Sequence, residues 1–319
     1  MKISILGTGA YGMAIASVLH YNKHSIKMWT NSNEEANYLN TNKKSPKVNY
    51  DIPSDIIIST NMKDVVSDSD VIIFATPSEF VSGVSKELSN YYNNQYIGIT
   101  SKGIDNKSLL CLSDVVKMNI STDLIAVISG CTFANDMVRK SVLGINVASK
   151  NLNTLNVISS ILENDYLSVY KTSDVIGTEI CGAIKNIMAI GNGIINGMGF
   201  RESSSAMFIT LATKEITDLI KCLGGEVNTI FSFAGIGDLI LTCNSKESRN
   251  FTLGNMMGKK FDTKDYIENT TIEGLYTLHA ITNIVKNNNI NMPIITMIDD
   301  IVNGKKNPDD FIKLLIKLK

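Results

Sequence analysis

The chain opens its first apolar run with Ile3-Ser4-Ile5-Leu6 and passes directly into Gly7-Thr8-Gly9-Ala10-Tyr11-Gly12. The run has the β-branched character of a buried strand, and the residues after Gly12 have helical spacing. In a G-x-G-x-x-G turn the first glycine allows a tight turn, and the second lets the backbone approach a pyrophosphate. Gly12 would let the helix pack on the strand, and the helix N-terminus attracts the anion. The stretch predicts a dinucleotide-binding unit, the alternative being a plain structural turn.

Further apolar runs of strand length recur through residues 1–172, separated by helix-like segments such as Met13–Leu19 and Val81–Leu88. Strand, helix and strand in succession favour parallel pairing through right-handed crossovers, and solidly apolar strands fit a sheet covered on both faces. We therefore predict an α/β fold with an N-terminal Rossmann-type doubly wound sheet over residues 1–172. The predicted strands are Ile3–Leu6, Ile26–Trp29, Val71–Ala75, Tyr96–Thr100, Ile125–Ser129 and Ile145–Ala148.

In residues 173–319 the apolar residues recur at helical spacing, and no turn residues mark off segments of strand length. This pattern predicts an all-helical C-terminal domain. Gly182, Gly191 and Gly193 cost helix stability in the first of its helices, so we expect another backbone or a ring to approach closely there. The predicted helices are Val175–Ile195, Ala206–Leu223, Phe251–Met257, Gly274–Lys286 and Asp309–Lys317.

Composition narrows the class of protein. The 319 residues carry a formal net charge of −1, and 44% of them are hydrophobic. This balance argues against a nucleic-acid partner, and the lack of an apolar run of about 18 residues argues against membrane insertion. Five scattered cysteines without a C-x-x-C pair, and three histidines without a ligand-spaced partner, predict no metal site. With an N-terminus too briefly apolar for a signal peptide, we expect a cytoplasmic protein.

The second predicted strand should indicate the choice of dinucleotide. An acidic residue at its end favours NAD and an arginine favours NADP. The segment Met28-Trp29-Thr30-Asn31-Ser32-Asn33 is neutral, and Glu34 comes slightly late. NAD and NADP therefore both stay open.

Two lysines are candidates for chemistry. Lys102 follows the predicted strand Tyr96–Thr100, at the edge where open α/β sheets bind ligands, although a solvated surface charge is the plainer interpretation. Lys185 lies among small and apolar residues of a predicted helix, where it either extends to solvent or is buried. Burial would lower its pKa towards the range that acid–base catalysis requires.

The segment Ser248-Arg249-Asn250 precedes a predicted helix, and Ser248 suits its N-cap. An arginine beside free helix amides makes a phosphate site, the alternative being an ordinary capped helix with an exposed arginine.

Taken together, these motifs resemble the NAD(P)-dependent glycerol-3-phosphate dehydrogenases of bacterial type, in family order over nearly the whole chain. Beyond the glycine turn they are S-K-G at 101–103, G-x-T-F-A at 130–134, E-x-x-G-A-x-K-N at 179–186, A-G-x-G-D-L at 234–239, T-C at 242–243, S-R-N at 248–250 and E-G at 273–274.

The resemblance implies reduction of dihydroxyacetone phosphate to sn-glycerol 3-phosphate with NAD(P)H, which feeds glycerophospholipid synthesis. It implies that Lys185 is the catalytic acid–base. The implied substrate residues are Lys102, Gly130, Thr132, Lys185, Asn186, Asp238, Ser248, Arg249 and Asn250. The dinucleotide residues, with the three turn glycines Gly7, Gly9 and Gly12, are Ala10, Tyr11, Asn31, Lys102, Ala134, Arg249, Thr271 and Glu273.

The sequence also departs from the family pattern. Cys131 replaces a usual proline, Ser203 replaces an asparagine, and Leu211-Ala212 replaces an Arg-Gly pair. These changes bear on loop rigidity, helix packing or the contacts of a possible homodimer. Two other functions stay open, a related hydroxyacid or sugar-acid dehydrogenase and a non-catalytic dinucleotide sensor. A hydroxyacid or sugar-acid dehydrogenase would lack the S-R-N phosphate site, and degraded catalytic positions would indicate a non-catalytic sensor.

Overall fold

A computed structural model describes residues 1–318 of the chain. The chain divides into two compact units. The first, called the sheet unit, comprises Met1–Ser101 and Leu112–Val175. The second, called the helical unit, comprises Lys102–Cys111 and Ile176–Lys319. The short segment Lys102–Cys111, which we call the arm, therefore belongs to the helical unit although its neighbours in sequence belong to the sheet unit.

The sheet unit contains one eight-stranded sheet in the order β3-β2-β1-β4-β5-β6-β7-β8. This order confirms the predicted Rossmann-type sheet, and all six predicted strands are present. The two outer strands of the sheet, β3 and β8, were not predicted. The strands are β1 (Lys2–Leu6), β2 (Ser25–Trp29), β3 (Ile57–Ser59), β4 (Val71–Phe74), β5 (Tyr96–Ile99), β6 (Ile125–Gly130), β7 (Leu143–Ala148) and β8 (Leu167–Thr172).

Alternate side chains of the central strands enter cores on opposite faces of the sheet. Ile3 and Ile5 of β1 are buried in one core, whereas Leu6 joins Ile72 and Phe74 of β4 in the other. This two-sided burial explains why the central strands are continuously apolar. The helices of the unit are α1 (Ala10–Tyr21), α2 (Asn33–Asn42), α3 (Met62–Val66), α4 (Val81–Leu88), α5 (Leu112–Ile120), α6 (Ala134–Val138) and α7 (Leu152–Leu162).

One strand pairing differs from the prediction. β6 and β7 are antiparallel, with Gly130 opposite Ile145, whereas the other neighbouring strands are parallel. The link between them contains only the five-residue helix α6, too short to carry the chain back along the sheet for a parallel strand. A methyl group at Gly130 would lie 2.6 Å from the carbonyl oxygen of Gly144, so this pairing requires glycine there.

The helical unit confirms the all-helical prediction for the second half of the chain. Each of the five predicted helices is present, with ends displaced by a few residues, and three helices were not predicted. No helix among residues 1–318 is long and apolar enough to cross a membrane. The helices are α8 (Val175–Gly197), α9 (Glu202–Cys222), α10 (Asp238–Cys243), α11 (Arg249–Gly258), α12 (Lys264–Asn269), α13 (Glu273–Asn287), α14 (Pro293–Val302) and α15 (Pro308–Lys317).

Close packing confirms the expectation for two of the α8 glycines. A methyl group at Gly193 would lie 2.2 Å from the carbonyl oxygen of Phe251, and one at Gly254 would lie 2.0 Å from that of Ile190. The backbones of α8 and α11 therefore touch. Gly191 meets a ring instead, because its methyl group would lie 2.8 Å from Phe208.

Candidate functional site

A buried carboxylate holds two lysines in the helical unit. Asp238, the first residue of α10, is fully buried. Its Oδ1 accepts a hydrogen bond from Lys185 Nζ at 2.6 Å, and its Oδ2 accepts one from Lys102 Nζ at 2.5 Å. Three predicted site residues thus meet within one compact unit, although they come from distant parts of the sequence.

Thr242 completes this cluster, and sequence reasoning did not select it as a site residue. Its hydroxyl accepts a hydrogen bond from Lys185 Nζ at 3.1 Å and donates one to Asp238 Oδ1 at 3.2 Å. The signal was available, since Thr242 follows Asp238 by four residues and such pairs share a helix face. We call Lys102, Lys185, Asp238 and Thr242 the lysine cluster.

Burial sets the protonation of the lysine cluster. It lowers the pKa of Lys185 to about 8, against the attraction of Asp238 and with the help of repulsion from Lys102. Burial alone would raise the pKa of Asp238, but the two ammonium groups outweigh it and hold that pKa below its usual value. Lys185 can therefore gain or lose a proton near neutral pH beside a carboxylate that stays ionised.

The arm places Lys102 in the lysine cluster. Ile104 is buried in the core of the helical unit, with 1% of its surface exposed, and pairs in a short bridge with Cys111. Asp105 Oδ2 accepts hydrogen bonds from the backbone N–H groups two and three residues later, which closes a turn within the arm. The Asn106 backbone N–H donates to Tyr276 Oη at 3.3 Å. These contacts fix the arm on the helical unit.

A second polar network joins α8, α11 and α13. Asn250 Nδ2 donates to Asn186 Oδ1 at 3.1 Å, and Asn186 Nδ2 donates to Glu273 Oε2 at 3.2 Å. Asn250 Oδ1 also accepts the Gly274 backbone N–H at 2.9 Å. Asn186 and Asn250 are predicted substrate residues and Glu273 is a predicted dinucleotide residue. Their mutual contacts bring these positions together.

The predicted cap of α11 is confirmed. Ser248 Oγ accepts the Phe251 backbone N–H at 3.2 Å, and the exposed Arg249 is the first residue of the helix. Thr271, also exposed, lies two residues before the start of α13. The guanidinium of Arg249 is thus accessible to an anion beside a helix N-terminus.

The glycine turn of the sheet unit fits a dinucleotide. A methyl group at Gly7, where φ is +122°, would lie 2.6 Å from the Ala75 carbonyl oxygen, and one at Gly12 would lie 2.2 Å from that of Gly7. These two glycines are required by packing. A methyl group at Gly9 would meet nothing within 4 Å. The structure leaves open space at Gly9, beside the first residue of α1, where a pyrophosphate would approach.

Other predicted residues of the sheet unit lie around this turn or after neighbouring strands. Tyr11 Oη and Thr132 Oγ1 are 3.0 Å apart, which joins a predicted dinucleotide residue to a predicted substrate residue. Ala10 is the first residue of α1, Ala134 is the first residue of α6, and the exposed Asn31 follows β2. Among the predicted dinucleotide residues, Lys102, Arg249, Thr271 and Glu273 belong to the helical unit instead.

The departures from the family pattern lie outside the lysine cluster. Cys131 Sγ donates to the Gly144 carbonyl oxygen at 3.4 Å, a contact that a proline could not make. Ser203, Leu211 and Ala212 lie on α9, and Ala212 is fully buried in the core of the helical unit. Within residues 1–318, no three His, Cys, Asp or Glu side chains are grouped so that they could hold a metal ion.

Comparison with known proteins agrees with this geometry. A family model described as the N-terminus of NAD-dependent glycerol-3-phosphate dehydrogenase matches residues 2–155, and the C-terminal model matches residues 174–313. Glycerol-3-phosphate dehydrogenase [NAD(P)+] from Oceanobacillus iheyensis is 32% identical over 99% of this chain and 93% of its own length. The Thermoanaerobacter enzyme of the same name is 33% identical over 97% and 94%, respectively.

Solved structures extend the comparison to the fold. Glycerol-3-phosphate dehydrogenase from Coxiella burnetii has a TM-score of 0.93 and 27% identity, with 99% of each chain covered. D-mandelate dehydrogenase has a TM-score of 0.64 and 14% identity, with 97% of this chain and 99% of that chain covered. The latter likeness shows a shared fold alone.

Proposed function

The chain belongs to the glycerol-3-phosphate dehydrogenase family, and we propose on this premise that it interconverts dihydroxyacetone phosphate and sn-glycerol 3-phosphate with NAD(P)H. The observation that carries the proposal is the lysine cluster, in which Lys185 has a pKa of about 8. A proton donor with a pKa near neutrality is what reduction of a ketone requires.

In the proposed reaction the sheet unit holds the dinucleotide. Gly7, Gly9 and Gly12 would hold the pyrophosphate, with Ala10 and Tyr11 at the start of α1 and Asn31 and Ala134 beyond it. Lys102, Arg249, Thr271 and Glu273 of the helical unit would also contact the dinucleotide. The reduced nicotinamide, when bound, supplies the hydride that C2 of the ketone receives.

Lys185 would supply the proton. Its ammonium donates to the substrate carbonyl oxygen as negative charge develops there, so that the ketone becomes an alcohol. In the opposite direction, the neutral amine accepts the proton from the alcohol. Asp238 and Thr242 orient Lys185 Nζ through hydrogen bonds of 2.6 and 3.1 Å. Lys102, on the other oxygen of the same carboxylate, adds positive charge that favours an anionic substrate.

Arg249 and Ser248 would bind the substrate phosphate, together with Asn250 and Asn186. The guanidinium can form paired hydrogen bonds to phosphate, and binding energy at this remote group positions the carbonyl for reaction. Gly130 and Thr132 would complete the substrate contacts. Phosphate recognition of this kind supports a small phosphorylated substrate, and membership of the family supports a place in glycerophospholipid synthesis.

We also propose a cytoplasmic homodimer. The scattered cysteines, none in a C-x-x-C pair, suit a reducing compartment. Exposed apolar side chains on the helical unit, Phe231 and Ile240 among them, support self-association because such side chains are often covered in oligomers. Light scattering tests the assembly, with twice the 34.9 kDa mass of one chain expected.

Lys185→Ala tests the proposed function. We expect the rate of NADH or NADPH oxidation with dihydroxyacetone phosphate to fall about 10²–10⁴-fold, because the proton donor is lost, while dinucleotide binding persists. The matched control is Lys221→Ala, an exposed lysine at the end of α9, which should retain the wild-type rate. Near-normal turnover by the Lys185 variant, or wild-type protein that prefers 2-oxo acids, would refute the proposal.

A further inference from the structure

A carboxylate outside the predicted site lies beside the glycine turn of the sheet unit. Glu35 is on the first turn of α2, and its Oε2 accepts a hydrogen bond from Thr30 Oγ1 at 2.8 Å. Thr30 follows the last residue of β2, where the sequence itself offers no acidic residue. The helix thus returns a carboxylate to the strand end that the sequence leaves neutral.

Three side chains fix this carboxylate and keep it ionised. Lys47 Nζ lies 2.5 Å from Glu35 Oε1. Partial burial opposes ionisation, but hydrogen bonds from Lys47 and from the hydroxyls of two threonines lower the pKa of Glu35. One of these threonines is Thr8, the residue between Gly7 and Gly9. Glu35 is therefore a fixed negative charge next to the turn that would hold the pyrophosphate, and 24% of its side chain is exposed.

The chemistry of the two dinucleotides makes this position discriminating. A carboxylate at the end of the second strand of a Rossmann sheet accepts hydrogen bonds from the ribose 2′-hydroxyl of NAD(H). The 2′-phosphate of NADP(H) would instead bring like charges together and displace favourable contacts. We propose that Glu35 makes this protein select NAD(H) over NADP(H), with Thr30 and Thr8 as the residues that position it. This proposal rests on dinucleotide binding in the proposed function.

Lys47 is the residue that could oppose this selection. As an exposed cation it would be a partner for a 2′-phosphate if it were not engaged by another anion. Its ion pair with Glu35 neutralises it in place. The competing possibility, that Glu35 only anchors the segment around Lys47 while Lys47 binds a 2′-phosphate, predicts the opposite preference and is decided by the same measurement.

The test measures dissociation constants for NADH and NADPH by fluorescence titration without any substrate. We expect the wild-type protein to bind NADH roughly tenfold or more tightly than NADPH, and Glu35→Gln to reduce that ratio by roughly tenfold. The matched control is Glu34→Gln, at the exposed neighbouring position of the same helical turn, which should keep the wild-type ratio. Lys47→Met should weaken NADPH further, because the negative charge of Glu35 is then uncompensated.

Two outcomes would overturn the inference. One is wild-type protein that prefers NADPH or binds both dinucleotides equally. The other is a Glu35→Gln variant whose ratio of NADPH to NADH dissociation constants is unchanged from the wild type. Circular dichroism at the working temperature confirms that each variant is folded. Because binding is measured without substrate, a protein that selects NADH but does not reduce dihydroxyacetone phosphate would refute the proposed function and leave this inference standing.

Discussion

At the residue scale, one carboxylate pairs with two lysines. Asp238 is fully buried and pairs with Lys102 and Lys185 through separate oxygens. Without it, two ammonium groups would face each other in a buried position, which is strongly unfavourable. Asp238 therefore allows Lys185 to be desolvated enough to lower its pKa and still be protonated at neutral pH.

Thr242→Val tests how Lys185 is tuned. The change removes a hydroxyl that accepts a hydrogen bond from Lys185 Nζ but keeps the shape of the side chain. The ammonium loses a hydrogen-bond partner, so the pKa of Lys185 should fall from its wild-type value of about 8. Reduction needs the ammonium, and its rate falls as pH rises through that pKa. We therefore expect the descending limb of kcat/KM to move to lower pH, with about a two- to tenfold lower rate at pH 8.

Thr242→Ser is the control for that change, since it keeps the hydroxyl and should keep the wild-type pH profile. A Val variant whose limb stays at the wild-type pH would show that Thr242 has only a packing role. The sequence identified Lys102, Lys185 and Asp238 through their motifs. The T-C motif contains Thr242, but it was not selected as a site residue, because a threonine on a helix usually bonds only to its own backbone.

At the element scale, the arm is the feature that sequence periodicity did not reveal. Lys102 comes shortly after the end of β5, and this position suggested that its side chain lies at the edge of the sheet. The structure places Lys102–Cys111 in the helical unit because the side chain of Ile104 is buried in that unit's core. A single buried isoleucine within a short loop leaves no periodic pattern, so its destination depends on tertiary packing.

Ile104→Ala should separate the position of Lys102 from general stability. The cavity should lower the free energy of unfolding by about 2–5 kcal/mol and loosen the arm, so that activity falls at temperatures where the protein is still folded. Ile284→Ala, in α13 of the same core, is the matched control and should cost similar stability with near-normal activity. Kinetic assays with urea unfolding compare the two, and equal activity losses would argue against a positioning role of the arm.

The same scale shows why two strands escaped prediction. Only Leu167 of β8 is buried and the strand carries polar side chains at an edge of the sheet, and β3 has only three residues. Edge strands need little apolar surface, so they lack the continuous apolar run that identified β1 and β4. The prediction that β6 and β7 are parallel was also wrong, because the direction of a strand depends on the link that precedes it and not on the strand's composition.

At the scale of the whole molecule, one buried group outside the lysine cluster couples stability to pH. Glu215 of α9 accepts the backbone N–H groups of Ile294 and Ile295, at 2.6 and 3.2 Å, at the start of α14. Burial raises its pKa to about 7 despite these hydrogen bonds, and nearby Asp218 adds repulsion. The folded chain therefore keeps a proton on Glu215 that the unfolded chain has released.

Glu215→Gln should remove this dependence. Between the ordinary glutamate pKa and about pH 7 the folded state binds more protons than the unfolded state, so wild-type stability falls as pH rises through this window. A neutral amide does not titrate, and we expect the variant to exceed the wild type in unfolding free energy by about 1–3 kcal/mol at pH 8 but not at pH 5. Urea unfolding at both pH values measures this, with the exposed Glu268→Gln as control. If instead the variant were less stable at pH 8, the two hydrogen bonds to α14 would outweigh the burial of the charge.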